Sequence, residues 1–257
     1  MNVLITSGGT TEKIDTVRSI SNMSTGKLGS LIADRFSCEP NIEKIIYICS
    51  NATIKPQSEK VEIINIDSVS CLENAIRESL NHANIDIIVH AMAVSDYRVR
   101  TVTSTANITD LIISNLDEIK KLDSQCASSA VASLLKNPES VLSGNGKISS
   151  DVEDMLLFME RTPKIILLFQ SLSPQSTLVG FKLLDNVPLD VLIDKGFLIL
   201  AENKCAYVLA NDLRDITDEQ HIGYLIDREK NYTRYSSKTE IATAIVSAAI
   251  SERTKML

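Results

Sequence analysis

The sequence lacks the arrangements by which cysteine and histidine usually build a site. Its five cysteines, at 38, 49, 71, 126 and 205, are odd in number and form no Cys-x-x-Cys pair, which removes a disulfide framework and a zinc knuckle. They fall mostly within apolar segments and read as reduced core thiols. The three histidines, 82, 90 and 221, have no ligand spacing, and no Ser-His-Asp or Cys-His arrangement is visible. No metal ligand is assigned to the protein. Excess positive charge is missing too: the net charge is −7 and the pI about 5.1. That balance argues against nucleic acid or an anionic membrane as partner. An anionic small molecule stays open, because a few lysines and backbone N–H groups can hold phosphate on an acidic protein. No apolar run approaches the ~20 residues a membrane-spanning helix needs. The opening MNVLITSGGT has no basic stretch ahead of its apolar residues and reads as a first strand, so a cytoplasmic protein is expected.

What is present is an alternation of short apolar runs and amphipathic stretches. Asn2–Thr6, Lys44–Cys49, Val61–Ile66 and Ile85–His90 read as buried strands. Helices are expected over Gly26–Phe36 and from a cap at Ser68 to about Asn81. This order predicts an α/β fold with a doubly wound, mostly parallel, Rossmann-like sheet, helices on both faces and a small inserted flap or hairpin region. Residues 1–257 are read as a single nucleotide-binding domain with an insertion at 101–147. Within it, Asp110–Lys121 and Ser128–Leu135 look helical and Pro138–Gly146 looks like a loop. Met155–Met159 is ambiguous between strand and helix. Thr162 and Pro163 look like a helix cap and first turn. Further on, Thr177–Phe181 and Ala206–Ala210 read as strands, Pro188–Ala201 as a helix, Ile222–Arg228 with Asn231–Tyr235 as a hairpin, and Lys238–Arg253 as a closing helix.

Chemistry is concentrated where strands end. Ser7-Gly8-Gly9-Thr10 follows the first strand, the position at which open α/β sheets bind ligands. Two glycines there would let backbone N–H groups approach a phosphate, and Gly26, Lys27 and Gly29 open the next helix, whose dipole favours an anion. The bland alternative is a turn that only reverses the chain. The connection from Ser7 to Gly26 reads as one long polar loop, far longer than a dinucleotide G-x-G-x-x-G turn, and Ser24-Thr25-Gly26-Lys27 lacks the Walker spacing. Asp15, Arg18, Ser21 and Asn22 give that loop a mixture suited to polar recognition, or to mere solvation. Ala91–Arg98 follows the fourth strand, with Asp96 either a ribose or base acceptor or a satisfied turn residue. Lys147, Lys164 and Lys182 could neutralise phosphate charge or simply be solvated. Ala210-Asn211-Asp212 marks another strand end.

Taken together, the runs ITSGGTTEKIDTVRSISNMSTGKLG (Ile5–Gly29), AMAVSDYRV (Ala91–Val99), GKISS (Gly146–Ser150), TPKII (Thr162–Ile166), LVGFKLL (Leu178–Leu184) and LANDL (Leu209–Leu213) resemble, in order and spacing, the phosphopantothenate–cysteine ligases, in their stand-alone bacterial form. The resemblance implies a nucleoside triphosphate, CTP more than ATP, and Mg²⁺. The nucleotide would activate the carboxylate of 4′-phosphopantothenate for attack by the cysteine amine. It implies that Gly8, Gly9, Thr10, Ser24, Thr25, Gly26 and Lys27 hold phosphates. Met92, Ala93, Asp96, Pro163, Lys164, Ile165, Ile166 and Phe181 would meet the nucleotide, and Arg18, Asn22 and Asn211 the substrate. The resemblance gives Asn22 and Lys147 the catalytic roles, Asn22 holding the acyl-nucleotide and Lys147 serving its formation. A homodimer is implied as well, with the 101–147 insertion near the partner. Ser149 and Ser150 depart from the lysine-rich pattern of many relatives, and Lys204, Cys205 and Ala206 from their pattern before the Ala-Asn-Asp run. Two other readings stand beside this one. A nicotinamide-dependent reductase would want an acid after the second strand, where Ser50, Asn51 and Ala52 stand. A non-catalytic nucleotide-binding protein of the same fold would bind CTP and release no pyrophosphate.

Overall fold

The computed structural model describes residues 1–136, 138, 141, 142, 146–217 and 220–256. The chain opens with β1 (Asn2–Gly9), the short strands β2 (Thr11–Lys13) and β3 (Ser19–Ser21), and α1 (Lys27–Ser37). It continues through β4 (Lys44–Ser50), β5 (Val61–Ile66), α2 (Val69–His82), β6 (Ile87–Ala93) and β7 (Tyr97–Ser104). Three helices follow, α3 (Thr105–Ser114), α4 (Leu116–Ile119) and α5 (Ser124–Lys136), then β8 (Met155–Arg161) and α6 (Ile166–Leu172). The remainder is β9 (Thr177–Leu184), α7 (Leu189–Glu202), β10 (Tyr207–Asp212), β11 (Gly223–Ile226), β12 (Tyr232–Tyr235) and α8 (Lys238–Met256).

These elements form two compact units. The first comprises Met1–Thr10, Asn22–Val94 and Lys164–Leu257. Its eight-stranded sheet has the order β12-β11-β10-β9-β6-β1-β4-β5, parallel except at β11 and β12. From β1 the chain runs outward through β4 and β5, then returns to the other side of β1 with β6 and continues through β9 to β10. The switch point therefore lies between β1 and β6, and the fold is the doubly wound, Rossmann-like one expected. Strand β1 shows why its apolar run needs both faces covered. Val3 and Ile5 pack among Ile32, Phe36 and Ile245 of α1 and α8, whereas Leu4 packs on the opposite side with Leu72, Phe169 and Leu192 from α2, α6 and α7. Helix α2 begins where expected because the Ser68 hydroxyl accepts from the Cys71 N–H at 3.3 Å.

The second unit comprises Thr11–Ser21 and Ser95–Pro163, wider than the 101–147 insertion. Strands β2 and β3 pair antiparallel, as do β7 and β8, with an irregularity between Val99 and Thr101. The stretch from Ser7 to Gly26 is thus not one loop. Strand β1 runs on to Gly9, and a hairpin follows it. Met155–Met159 is strand because it has β7 to pair with. Thr162 does not cap a helix: its hydroxyl donates to the Ser95 carbonyl instead, and α6 starts later, at Ile166. Helix α3 is capped by the Ser104 hydroxyl, which accepts from Asn107 N–H at 3.1 Å. Most of the Pro138–Gly146 loop lies outside the described residues.

Two features of the first unit have measurable consequences. Gly8 has φ +87°, and a Cβ there would run into the Thr53 side chain, whose hydroxyl is paired with Ser50 at 2.7 Å. Gly8→Ala is expected to lower stability by about 1–3 kcal/mol. Adding Thr53→Ala should restore only part of that, because the backbone strain remains; urea denaturation of the three proteins checks this. His90 is buried, its Nδ1 lies 2.6 Å from the Thr6 hydroxyl and its ring sits edge-on to Phe169. Burial pushes its pKa down to about 4. The unfolded chain takes up the proton near pH 6.5 while the folded one refuses it, so stability falls as pH drops from that value toward 4. The slope is at most ~1.4 kcal/mol per pH unit for this group. Denaturation at pH 7.5, 6.0 and 5.0 should show the loss, and His90→Gln should remove the part due to His90, leaving that of His221, whose pKa burial also lowers to about 4.

Candidate functional site

The site is organised by a narrow neck at the end of β1. Parallel pairing with β6 continues to the last residues of both strands, placing Gly8 opposite Met92 and Gly9 opposite Ala93. Thr10 N–H then donates to Ala93 C=O at 3.2 Å, and Thr10 C=O accepts from Asn22 N–H at 3.2 Å. A Cβ at residue 9 would collide with the Asn22 carbonyl, so only glycine lets Asn22 return this close to the strand. The two glycines thus make room for protein: Gly8 for Thr53 and Gly9 for Asn22. Beyond the neck, Gly26 takes a left-handed conformation, φ 69°, and opens α1 with no side-chain cap. Ser7 hydroxyl donates to the Gly26 carbonyl at 3.2 Å, and Gly29 packs directly on the Ser7 side chain, which draws the positive end of α1 down onto β1.

A cleft of about 400 Å³ opens beside this helix end. Met23–Gly29 form one wall, Ala91–Ala93 and Phe181 with Leu183 the floor, and Asn211, Leu213, Ile216, His221 and Lys238 the far wall. Lys238 is the first residue of α8. His221 is 7% exposed, its Nε2 lies 3.1 Å from Asn211 Nδ2, and its buried Nδ1 has no partner among the described residues. Burial, then the Lys238 ammonium, pushes the His221 pKa down to about 4. The imidazole is therefore neutral near pH 7. With the Asn211 amide donating to Nε2, the ring proton belongs on Nδ1. The cleft thus combines a helix N-terminus and Lys27 at one end, an apolar floor, and a donor-rich end with Lys238 at the other. That arrangement suits a flat group on the floor and an anionic, acceptor-rich one at the walls.

This cleft gathers Ser24, Thr25, Gly26, Lys27, Met92, Ala93, Phe181 and Asn211 of the residues singled out in the sequence. Gly8, Gly9, Thr10 and Asn22 form the neck. Ile165 is in the core with its side chain buried, and Ile166 packs over Gly180, so this segment offers a ligand its backbone and the exposed Lys164. Lys182 is half-buried on β9. In the second unit, Asp96 and Pro163 are exposed, and Thr162 N–H donates to Asp96 C=O at 3.0 Å. Arg18 reaches the Ile148 carbonyl at 3.4 Å, which joins the loop of Arg18 to the neighbour of Lys147 across 130 residues. Sequence reasoning did not find His221 or Lys238. The only signal was a histidine ten positions beyond Asn211. Among the described residues no group of three His, Cys, Asp or Glu side chains could hold a metal ion, and no helix is long and apolar enough to cross a membrane.

Comparison with known proteins agrees with this architecture. The profile of the DNA/pantothenate metabolism flavoprotein C-terminal domain matches residues 1–108. The crystal structure of the DNA/pantothenate metabolism flavoprotein from Streptococcus pneumoniae superposes with a TM-score of 0.79 at 30% identity, covering 98% of this chain and 99% of that one. The coenzyme A biosynthesis bifunctional protein CoaBC of Thermococcus kodakarensis is 28% identical over 88% of this chain and 45% of its own length. Its counterpart in Methanocaldococcus jannaschii is 26% identical over 95% of this chain and 49% of its own. The chain therefore spans about half the length of these curated relatives. With 30% identity over nearly the whole of both this chain and the pneumococcal protein, and the profile match over residues 1–108, the chain belongs to the family of the DNA/pantothenate metabolism flavoprotein C-terminal domain.

Proposed function

We propose that the chain is a phosphopantothenate–cysteine ligase of coenzyme A biosynthesis. The observation that carries this reading is the neck: a glycine strand end that holds Asn22 immediately before a cleft built around the positive end of α1. Support comes also from the relatives, which are named as coenzyme A biosynthesis proteins. In the first half-reaction a carboxylate oxygen of 4′-phosphopantothenate attacks the α-phosphorus of a nucleoside triphosphate, CTP in preference to ATP. The bond to the bridging oxygen breaks and pyrophosphate leaves. In the second, the cysteine amine attacks the acyl carbon, the nucleoside monophosphate departs with the electron pair, and the amine loses its proton to solvent.

The chemistry needs positioning and charge neutralisation more than an acid–base pair. The α1 N-terminus with Ser24, Thr25 and Lys27 suits the phosphates. Met92, Ala93 and Phe181 suit the flat base, and Asn211 with His221 suits acceptor atoms at the far wall. Asn22 holds the acyl-nucleotide for the amine, and Lys147 serves the first half-reaction. Mg²⁺ fits as an ion carried on the nucleotide's phosphates, which needs few protein ligands and supplies charge neutralisation. The protein works in the cytoplasm as a homodimer, which light scattering of the purified chain would test.

Purified protein with Mg²⁺, 4′-phosphopantothenate, cysteine and either CTP or ATP should release pyrophosphate and form phosphopantothenoylcysteine, faster with CTP. A protein that binds CTP and releases no pyrophosphate would be a nucleotide-binding relative, and the reading would fail. Asn22→Asp should still release pyrophosphate while product formation drops by roughly 10²-fold or more, the acyl-nucleotide accumulating. Lys147→Gln should slow pyrophosphate release itself by a similar factor. Full turnover in both variants would contradict the assignment of these two roles.

A further inference from the structure

Asp15 lies in the second unit and is not one of the residues given a role above. Its side chain is fully buried, which for a lone carboxylate costs several kcal/mol unless every lone pair finds a partner. Here each does. Oδ1 accepts from the Val17 N–H at 2.7 Å and the Arg18 N–H at 2.6 Å. Oδ2 accepts from the Ile148 N–H at 3.2 Å and lies 3.4 Å from Arg18 Nη1. The Val17 N–H foremost, with those of Arg18 and Ile148 and the Arg18 guanidinium, lowers the Asp15 pKa against the opposing effect of burial.

The two oxygens do different jobs. Oδ1 serves only the local turn, where Ile14 and Asp15 N–H both donate to the Arg18 carbonyl, at 2.9 and 3.3 Å. A neutral Asn or Ser would serve that turn equally well. Oδ2 instead reaches a residue 133 positions away. Ile148 is held on both sides, its N–H by Asp15 and its C=O by Arg18 Nη2 at 3.4 Å, and its side chain is 4% exposed. The backbone on which the next residue back, Lys147, is mounted is therefore fixed to the Arg18 loop. A lysine is a point charge on a flexible stem. Its aim depends on where its Cα is anchored.

We propose that Asp15 is a positioning residue of the ligase: its buried carboxylate latches the Lys147 segment to the Arg18 loop, so that both cations are presented together when the acid is activated. The proposal rests on the ligase reading. Asp15→Asn is the discriminating change. The amide keeps one acceptor for Val17 and Arg18, but its NH₂ faces the Ile148 N–H donor to donor. Asp15→Ser likewise keeps the local turn and cannot reach Ile148, and it stands in if the amide variant melts early.

The test measures single-turnover pyrophosphate release with CTP, Mg²⁺ and 4′-phosphopantothenate, together with hydrogen exchange at the Ile148 amide. Wild type, each Asp15 variant, Lys147→Gln and the double variants are compared. The expected result is a ~10- to 100-fold slower release in the Asp15 variants with the CTP KM little changed. The same changes should have no further effect in the Lys147→Gln background, and Ile148 exchange should be fast in them and slow in wild type. Equal slowing in both backgrounds, or Ile148 exchange unchanged by the substitutions, overturns the latch. A wild type that releases no pyrophosphate overturns the ligase reading and the positioning role with it. In that event Ile148 exchange still reports whether the carboxylate grips the segment.

Discussion

The constraint on which the rest depends is the contact between Gly9 and the backbone of Asn22. Strand β1 must pair with β6 to its last residue, because the hydrogen bond from Thr10 to Ala93 extends that ladder by one more step. The chain then leaves for a hairpin in the second unit and returns at Asn22, where its N–H closes onto Thr10 and its carbonyl occupies the space a β-carbon would fill. Any side chain at position 9 would push the chain at Asn22 away from β1. With it would go Asn22 and the Met23–Gly26 approach to α1. One missing methyl group thus sets where the helix N-terminus, the cleft wall and the Asn22 side chain begin.

The electrostatics of the cleft follow from a similar economy. The protein as a whole repels anions, at −7. Positive potential is produced locally, by the start of α1 with Lys27 as its first residue and by Lys238 at the start of α8. Burial keeps His221 neutral, so it lines the far wall without adding a charge to it. In the second unit the reverse choice is made: Asp15 is buried as a charge, because a carboxylate has enough lone pairs to hold a turn and a distant segment together.

Much of the fold was legible in the residues. The apolar runs of β1, β4, β6, β9 and β10 are those of strands covered on both faces, and Ser68 announced α2. Local pattern could not show that Thr11–Lys13 and Ser19–Ser21 pair, since three-residue strands carry no periodicity. Thr162 looked like a cap because the Ser95 carbonyl that claims its hydroxyl is 67 positions away. For the site, the motifs at strand ends picked out most of one cleft wall and its floor. The burial of the Ile165 side chain was not legible, since an isoleucine after a lysine gives no hint that it turns into the core. His221 and Lys238 were missed for a physical reason: they reach the cleft from a loop and a helix start that follow β10, and only the folded sheet brings them opposite α1.

A methyl group placed at the neck probes the Gly9–Asn22 contact through the way the activated acid partitions. Gly9→Ala, shown to be folded by circular dichroism, should bind CTP more weakly than wild type, because the Met23–Gly26 wall moves with Asn22, and should still release pyrophosphate at saturating CTP. Its yield of phosphopantothenoylcysteine per pyrophosphate should fall well below one, because Asn22 is displaced from the acyl-nucleotide. A variant that keeps one product per pyrophosphate at the wild-type rate would contradict the claim that this contact places Asn22 for the reaction.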